Sequence, residues 1–396
     1  MAGDRNLAIA AGLCGVCGVA AWGFYVHALA AGRGEDWFVY YTAIRTYFDG
    51  ELGLLYDGDR LTALLNARFA DWLARPLPLH PWLYPPHYLL LLLPFGVLPP
   101  IVAGALFLLL GFAALVAAGL AFCPRLRGRM ICALSLLLCP ATAITVCLGQ
   151  NTFFTCALLL GGFGLGARRP VLGGILLGAA TYKPQLWLMV PVALIAGRQG
   201  KMLAAAVAAA AGLALASVAV FGIEPWRAWL EMMTAPSALF AQWNQLARLN
   251  GQSIYTYAVL LGAPAPVANA LQAASALIAA SAVWWCHRRA MAAEIRLAVL
   301  FAATMLAAPH LIDYDALMLG IAATLMFVRR LDDGLHVAET VLLAIVWASP
   351  FVNPPSVFPI AYATPILILA FIAWVLRRES QAQARIGTPA LEGLPG

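Results

Sequence analysis

The chain has 396 residues, of which 63% are hydrophobic and only 11% charged. A soluble domain carries about 25% charged residues, so this composition excludes a soluble enzyme, a nucleic-acid binder and a disordered chain. The formal charge of +6 reads as membrane topology, because Arg recurs in small clusters between apolar tracts and Lys183 and Lys201 are the only lysines.

Residues 7–30, 83–123, 130–167, 202–223, 249–286 and 340–376 contain no Asp, Glu, Lys or Arg. A spanning helix takes about 20 apolar residues, so several tracts hold two helices each, and an all-α polytopic membrane protein with roughly 11–13 transmembrane helices is expected. The first tract is too long for a cleaved signal peptide ending at Ala28-Leu29-Ala30 and reads as an anchor. Cys14 and Cys17 have the spacing of a redox pair, yet inside an apolar span they read as small packing residues.

Residues 31–82 form a polar segment. They hold Glu35, Asp36, Asp49, Glu51, Asp57, Asp59 and Asp71. Within it, Trp37–Tyr41 and Leu61–Trp72 mix apolar and charged residues at helical spacing, which predicts helices lying in the membrane interface. The next stretch is ambiguous. If the N-terminus and Arg125 are both cytoplasmic, 83–98 and 101–122 cannot both span. Pro94, Pro99 and Pro100 break the region. Either 83–98 is re-entrant or bent, or one assignment fails.

Six basic clusters follow: Arg125/Arg127/Arg129, Arg168/Arg169, Arg198/Lys201, Arg288/Arg289, Arg329/Arg330 and Arg377/Arg378. Cytoplasmic loops are enriched in Lys and Arg. Placing all six inside makes each interval an out-and-back hairpin. The outer turns then fall near Gln150-Asn151, near Lys183, across 223–252, near His310–Asp313 and near Asn353. The Lys183 hairpin has 28 residues from Pro170 to Gly197. At about 1.5 Å per residue its two arms are too short to cross, so its tip is expected below the outer surface. The polar tail from Glu379 to Gly396 is predicted to be disordered, leaving 1–378 as one transmembrane domain.

Ionisable groups inside membrane spans are costly and mark function. Asp36 directly follows the first span. Lys183 stands between two apolar runs. His310 and Asp313, three apart, share a face if their helix continues. Asp315 points elsewhere and marks a helix start. Gln150, Asn151, Tyr84 and His87 are polar groups at turns on the same membrane side. Together they fit a cavity at the lipid–water boundary for a substrate with an anionic head and a greasy tail. Lys183 would hold a phosphate and Asp36 would accept a proton.

The ordered motifs carry a family resemblance. Asp36-Trp37 follows the first span, and Gly50-Glu51-Leu52-Gly53-Leu54-Leu55-Tyr56 precedes a second amphipathic helix. Tyr84-Pro85-Pro86 leads into Leu93-Pro94-Phe95. Leu148-Gly149-Gln150-Asn151 opens a helix, and Arg169-Pro170, Gly173–Gly178 and Lys183-Pro184 follow. The chain thereby resembles the glycosyltransferase family 87 membrane enzymes of the GT-C class, which are similar to bacterial polyprenol-phosphate-mannose-dependent mannosyltransferases. The resemblance implies inverting transfer of a hexose, mannose first, from a polyprenyl phosphate to an acceptor hydroxyl on a glycan or glycolipid. It implies Asp36 and His310 as catalytic groups and Lys183 as the donor-phosphate ligand. Gln150, Asn151, Tyr84, His87 and Asp313 would line the substrate. Phosphate is already a good leaving group, so one carboxylate with phosphate ligands suffices. Asp57-Gly58-Asp59 and Asp313-Tyr314-Asp315 have Asp-x-Asp spacing but sit in other contexts. Neither metal nor other cofactor is expected, and no nucleic acid. The implied location is the bacterial inner membrane, with the site facing the periplasm or cell exterior. The rival class is a transporter or flippase of a lipid-linked sugar.

Overall fold

The computed structural model describes residues 2–28, 34–234, 251–331, 335–352 and 359–387. The protein is an all-helical, multi-pass membrane protein. The only β pairing among these residues is an isolated bridge between Gly251 and Ile312.

Three helices are long and apolar enough to cross a membrane alone: Pro100–Leu120, Gly200–Phe221 and Ala265–His287. Their flanks are mostly uncovered by protein, as lipid-facing helices require. A fourth crossing is assembled from Leu126–Leu138 and Pro140–Leu148, which meet at 51°. Pro140 sits at the joint and removes a backbone donor. The centre of the bundle is made by Ala293–Ala307 and Leu317–Arg329, which are buried along nearly their whole lengths. These two are followed by Val337–Ala348 and Thr364–Gly387.

Packing contacts bring the basic clusters to one end. There Gly128 packs against Val328, and Gly166 against Met202. At the same end Arg329 pairs with Glu294 at 3.8 Å, and Arg330 with Glu379 at 4.0 Å. The tail expected to be disordered from Glu379 is helical to Gly387, because no Gly or Pro interrupts it after Pro365 and Glu379 is tied to Arg330. The turn expected near Asn353 falls outside the described residues, as does most of the turn expected across 223–252, namely 235–250.

At the opposite end the chain doubles back. Pro86–Leu92 continues as a 3-10 turn over Leu93–Val97, too short to cross a bilayer. Gly96 packs against Ile44 and Phe48, so this short, broken element lies against the helix Glu35–Phe48. The Lys183 hairpin is broken as its length requires, into Pro170–Ala179, a 3-10 turn to Tyr182, Pro184–Trp187 and Val190–Ala196. Gly174 and Gly178 let its first arm approach the backbone of Met202 and Ala206, where side chains would clash.

The helix Glu35–Phe48 differs from the interfacial expectation. Every residue from Trp37 to Ile44 is buried. The cause is Trp37, which inserts against Gly104 and Gly149 while its indole Nε1 donates to the Pro100 carbonyl at 2.8 Å. Gly149, at φ 76, has no Cβ to obstruct it. Gly34 N–H then donates to the Cys147 carbonyl at 2.8 Å and pins the helix start to the same turn.

A buried polar cluster as candidate active site

Asp36 sits in the first turn of this pinned helix. Its neighbour, which sequence reasoning missed, is His80, whose Nε2 lies 4.0 Å from Asp36 Oδ1. The second loop helix exists to hold it. Asp57 caps Gly58–Arg68 by accepting from Arg60 N–H. Thr62 Oγ1 on that helix accepts the His80 backbone N–H at 2.9 Å, and Asn66 brackets Leu77 with two hydrogen bonds. Asp49 ties the two helices through Arg68 at 2.8 Å and Arg45. These guanidiniums hold its carboxyl below the usual range. The available signal for His80 was its place in Leu79-His80-Pro81, in the same polar loop as Asp36.

A second arm reaches Asp36 from the turn at Gly149. Gln150 is buried, and its side-chain amide stands close enough to Asp36 to favour the ionised carboxyl. Tyr40 OH donates to Gln150 Oε1 at 2.6 Å, which leaves the Tyr40 oxygen to accept from Tyr84 OH at 2.8 Å. Two of the sequence candidates, Gln150 and Tyr84, thus join through Tyr40 in one chain of hydrogen bonds beside Asp36. Asn151 is fully buried beside it.

Lys183 approaches from below. Tyr182 stacks on Tyr88 with centroids 4.3 Å apart and bonds Thr155 through its hydroxyl at 2.9 Å, fixing the backbone before Lys183. The ammonium is 2% exposed and donates to Asp315 Oδ1 at 3.0 Å. It also lies 4.9 Å from the centre of the Tyr314 ring. Asp315 therefore does not point elsewhere: it is the counter-ion of Lys183, presented by the 3-10 turn Asp313–Ala316. A lone buried cation needs a partner, and that rule was the signal. Lys183 and Asp315 are close enough to Asp36 for their charges to act on its carboxyl in opposite directions. Burial dominates and pushes Asp36 above the usual carboxylate range, against the pull of His80, Gln150 and Lys183.

Asp313 is within electrostatic reach of Asp36 and Asp315. It shares no helix face with His310. The helix ends at Ala307, and Ala308 before Pro309 takes an extended conformation, as the residue preceding a proline prefers. His310 is exposed in this connection, next to the strand-like pairing of Gln252 N–H with the Leu311 carbonyl. His87 is turned from the cluster: it is buried and stacks on Trp226 at 5.9 Å. Among the described residues, no three His, Cys, Asp or Glu side chains gather as a metal-ligand set.

A short bent helix, a broken hairpin and an acid–lysine cluster thus gather polar groups at one end of a multi-pass membrane bundle. The match to known families agrees. The model of glycosyltransferase family 87 matches residues 82–309, and the chain belongs to that family of membrane glycosyltransferases. The matched stretch includes Tyr84, His87, Gln150, Asn151 and Lys183, while Asp36, His310 and Asp315 lie outside it. No curated relative and no solved structure matches the chain.

Proposed function

We propose that the protein transfers a hexose, mannose first, from a polyprenyl phosphate to an acceptor hydroxyl with inversion, with Asp36 as the general base. The observation that supports this most is the Asp36 carboxyl itself. It has the Gln150 amide close by, is flanked by His80 and is raised by burial, as suits a base that must take a proton near neutral pH. In the step, the acceptor hydroxyl oxygen bonds to the sugar C1 as its proton passes to Asp36. The bond from C1 to the phosphate oxygen breaks, and the polyprenyl phosphate leaves with the electron pair. Attack from the face opposite the phosphate gives inversion.

Lys183 is the proposed ligand of the donor phosphate. Asp315 occupies one of its three donors and fixes the direction of the ammonium. Gln150, Asn151, Tyr84 and Asp313 are the proposed contacts to sugar and acceptor. His87, packed on Trp226, would act through Thr181, whose Oγ1 is 3.5 Å from its Nε2. His310, exposed beside the Asp313 turn, is the proposed second catalytic group at the leaving phosphate. The proposed location is the bacterial inner membrane with this end in the periplasm, where glycan or glycolipid acceptors are met.

The test is purified protein incubated with labelled polyprenyl-phosphate-mannose and candidate acceptors. The expected result is a glycosylated acceptor of inverted anomeric configuration. Movement of intact donor across a vesicle bilayer without transfer would overturn the reading in favour of a flippase.

A further inference from the structure

The arginine-rich end of the bundle, opposite the Asp36 cluster, carries a groove that the proposed reaction does not use. It is a cavity of about 610 Å³ between Val190–Ala196 and the second half of Ala265–His287. The return arm of the broken hairpin has only 7 residues, so it cannot cover the flank of the 23-residue helix beside it. Val192 and Leu277 form an apolar wall, and Trp284, Trp285, Arg288 and Arg289 form the mouth. Trp284 is 46% exposed and Leu277 70% exposed, so the groove opens sideways to lipid.

The mouth is preorganised for an anion. The Arg289 guanidinium lies 3.8 Å from the centre of the Trp285 ring and donates to the Trp285 carbonyl at 3.2 Å. Carboxylates at this end are taken by other arginines: Glu294 by Arg329, Glu379 by Arg330 and Glu339 by Arg378. Among the described residues, neither Arg288 nor Arg289 has a carboxylate partner. The dimensions fit one leaflet. From Leu277 to Arg288 the helix rises about 17 Å, close to the half-thickness of about 15 Å for a hydrocarbon core. Tryptophan at the mouth suits the interfacial depth, and basic pockets between helices bind anionic head groups.

We propose that this groove is a binding site for an anionic diacyl phospholipid, its phosphate on Arg288 and Arg289 and an acyl chain along Val192 and Leu277. The sugar donor is the less suitable occupant. Its phosphate would lie nearly the length of a 23-residue helix, about 35 Å, from the end that carries Asp36.

The test is native mass spectrometry of the full chain in detergent, titrated with dioleoyl phosphatidylglycerol or dioleoyl phosphatidylcholine. Phosphatidylglycerol should be retained in preference. Arg288→Gln with Arg289→Gln should weaken its binding about 30-fold, at about 1 kcal/mol for each arginine. Ala280→Trp, which fills the groove without changing charge, should weaken it as well. Thermal unfolding in lipid-free detergent identifies any variant that fails to fold, and the other variant then carries the test. Equal retention of the two lipids, or unchanged affinity in a folded variant, overturns the proposal. So does displacement of phosphatidylglycerol by equimolar undecaprenyl phosphate, which would assign the groove to a polyprenyl lipid. Both variants should keep hexosyl transfer, so failure here is distinguishable from failure of the proposed reaction.

Discussion

The Lys183–Asp315 pair makes removal of the lysine a test of folding before it is a test of binding. At 3.0 Å and an effective dielectric of about 20, the attraction is about 5.5 kcal/mol. Desolvation costs several kcal/mol for each ion, so the pair as a whole contributes little net stability. A single partner left alone loses the attraction and keeps its own desolvation cost. Lys183→Met or Asp315→Leu should therefore each destabilise the fold by about 3–5 kcal/mol, while the double variant should lie near the parent. Unfolding followed in detergent gives the three values, and donor affinity is then measured only on species that fold. The folded double variant should bind polyprenyl phosphate more weakly if Lys183 holds the phosphate. A Lys183→Met protein as stable as the double variant would refute the ion-pair reasoning. Parental donor affinity in the folded double variant would refute the phosphate role.

Asp36→Asn keeps shape and hydrogen bonding but removes the proton acceptor, so turnover should fall about 10²–10⁴-fold with donor binding intact, while Glu35→Gln has a small effect. Equal small effects in the two would withdraw the base assignment. Because burial raises the Asp36 carboxyl and His80 pulls it down, His80→Gln should raise it further. The base must be ionised, so the acid limb of the pH–rate profile should move to higher pH, and an unmoved limb would show that His80 does not act on Asp36. Gly149→Ala combines left-handed backbone strain with a clash on Trp37, and an unfolding measurement should show a loss of about 2–4 kcal/mol. A cysteine placed at exposed Asp71 should label from the periplasm and one at exposed Arg127 should not; the reverse would invert the orientation.

Local chemistry fixed much of what could be read without coordinates. Apolar tracts of fixed length between arginine clusters specify membrane helices and their alternation, because both the hydrocarbon thickness and the helical rise are constant. The 28 residues of the Lys183 hairpin were enough to require a short, broken pair. Asp36, Lys183, Gln150 and Tyr84 could be singled out because a polar group next to an apolar run has to be satisfied by something. What satisfies it is not local. Asp315 meets Lys183 across 132 positions, and Gln150 meets Tyr40 across 110. His80 was overlooked, and Asp315 was read as a mere helix start, because each looks ordinary within its own segment. The helix Glu35–Phe48 reads as interfacial from its mixed composition, but two distant glycines open a slot for Trp37 and bury it. His310 and Asp313 read as one helical face, but the helix stops at Ala307, before Pro309, so neither lies on it. Hydropathy along the chain thus determined that it folds as a multi-pass helical membrane protein. Only packing, where a missing Cβ or a counter-ion far off in sequence settles which surfaces can meet, decided which polar groups share a site.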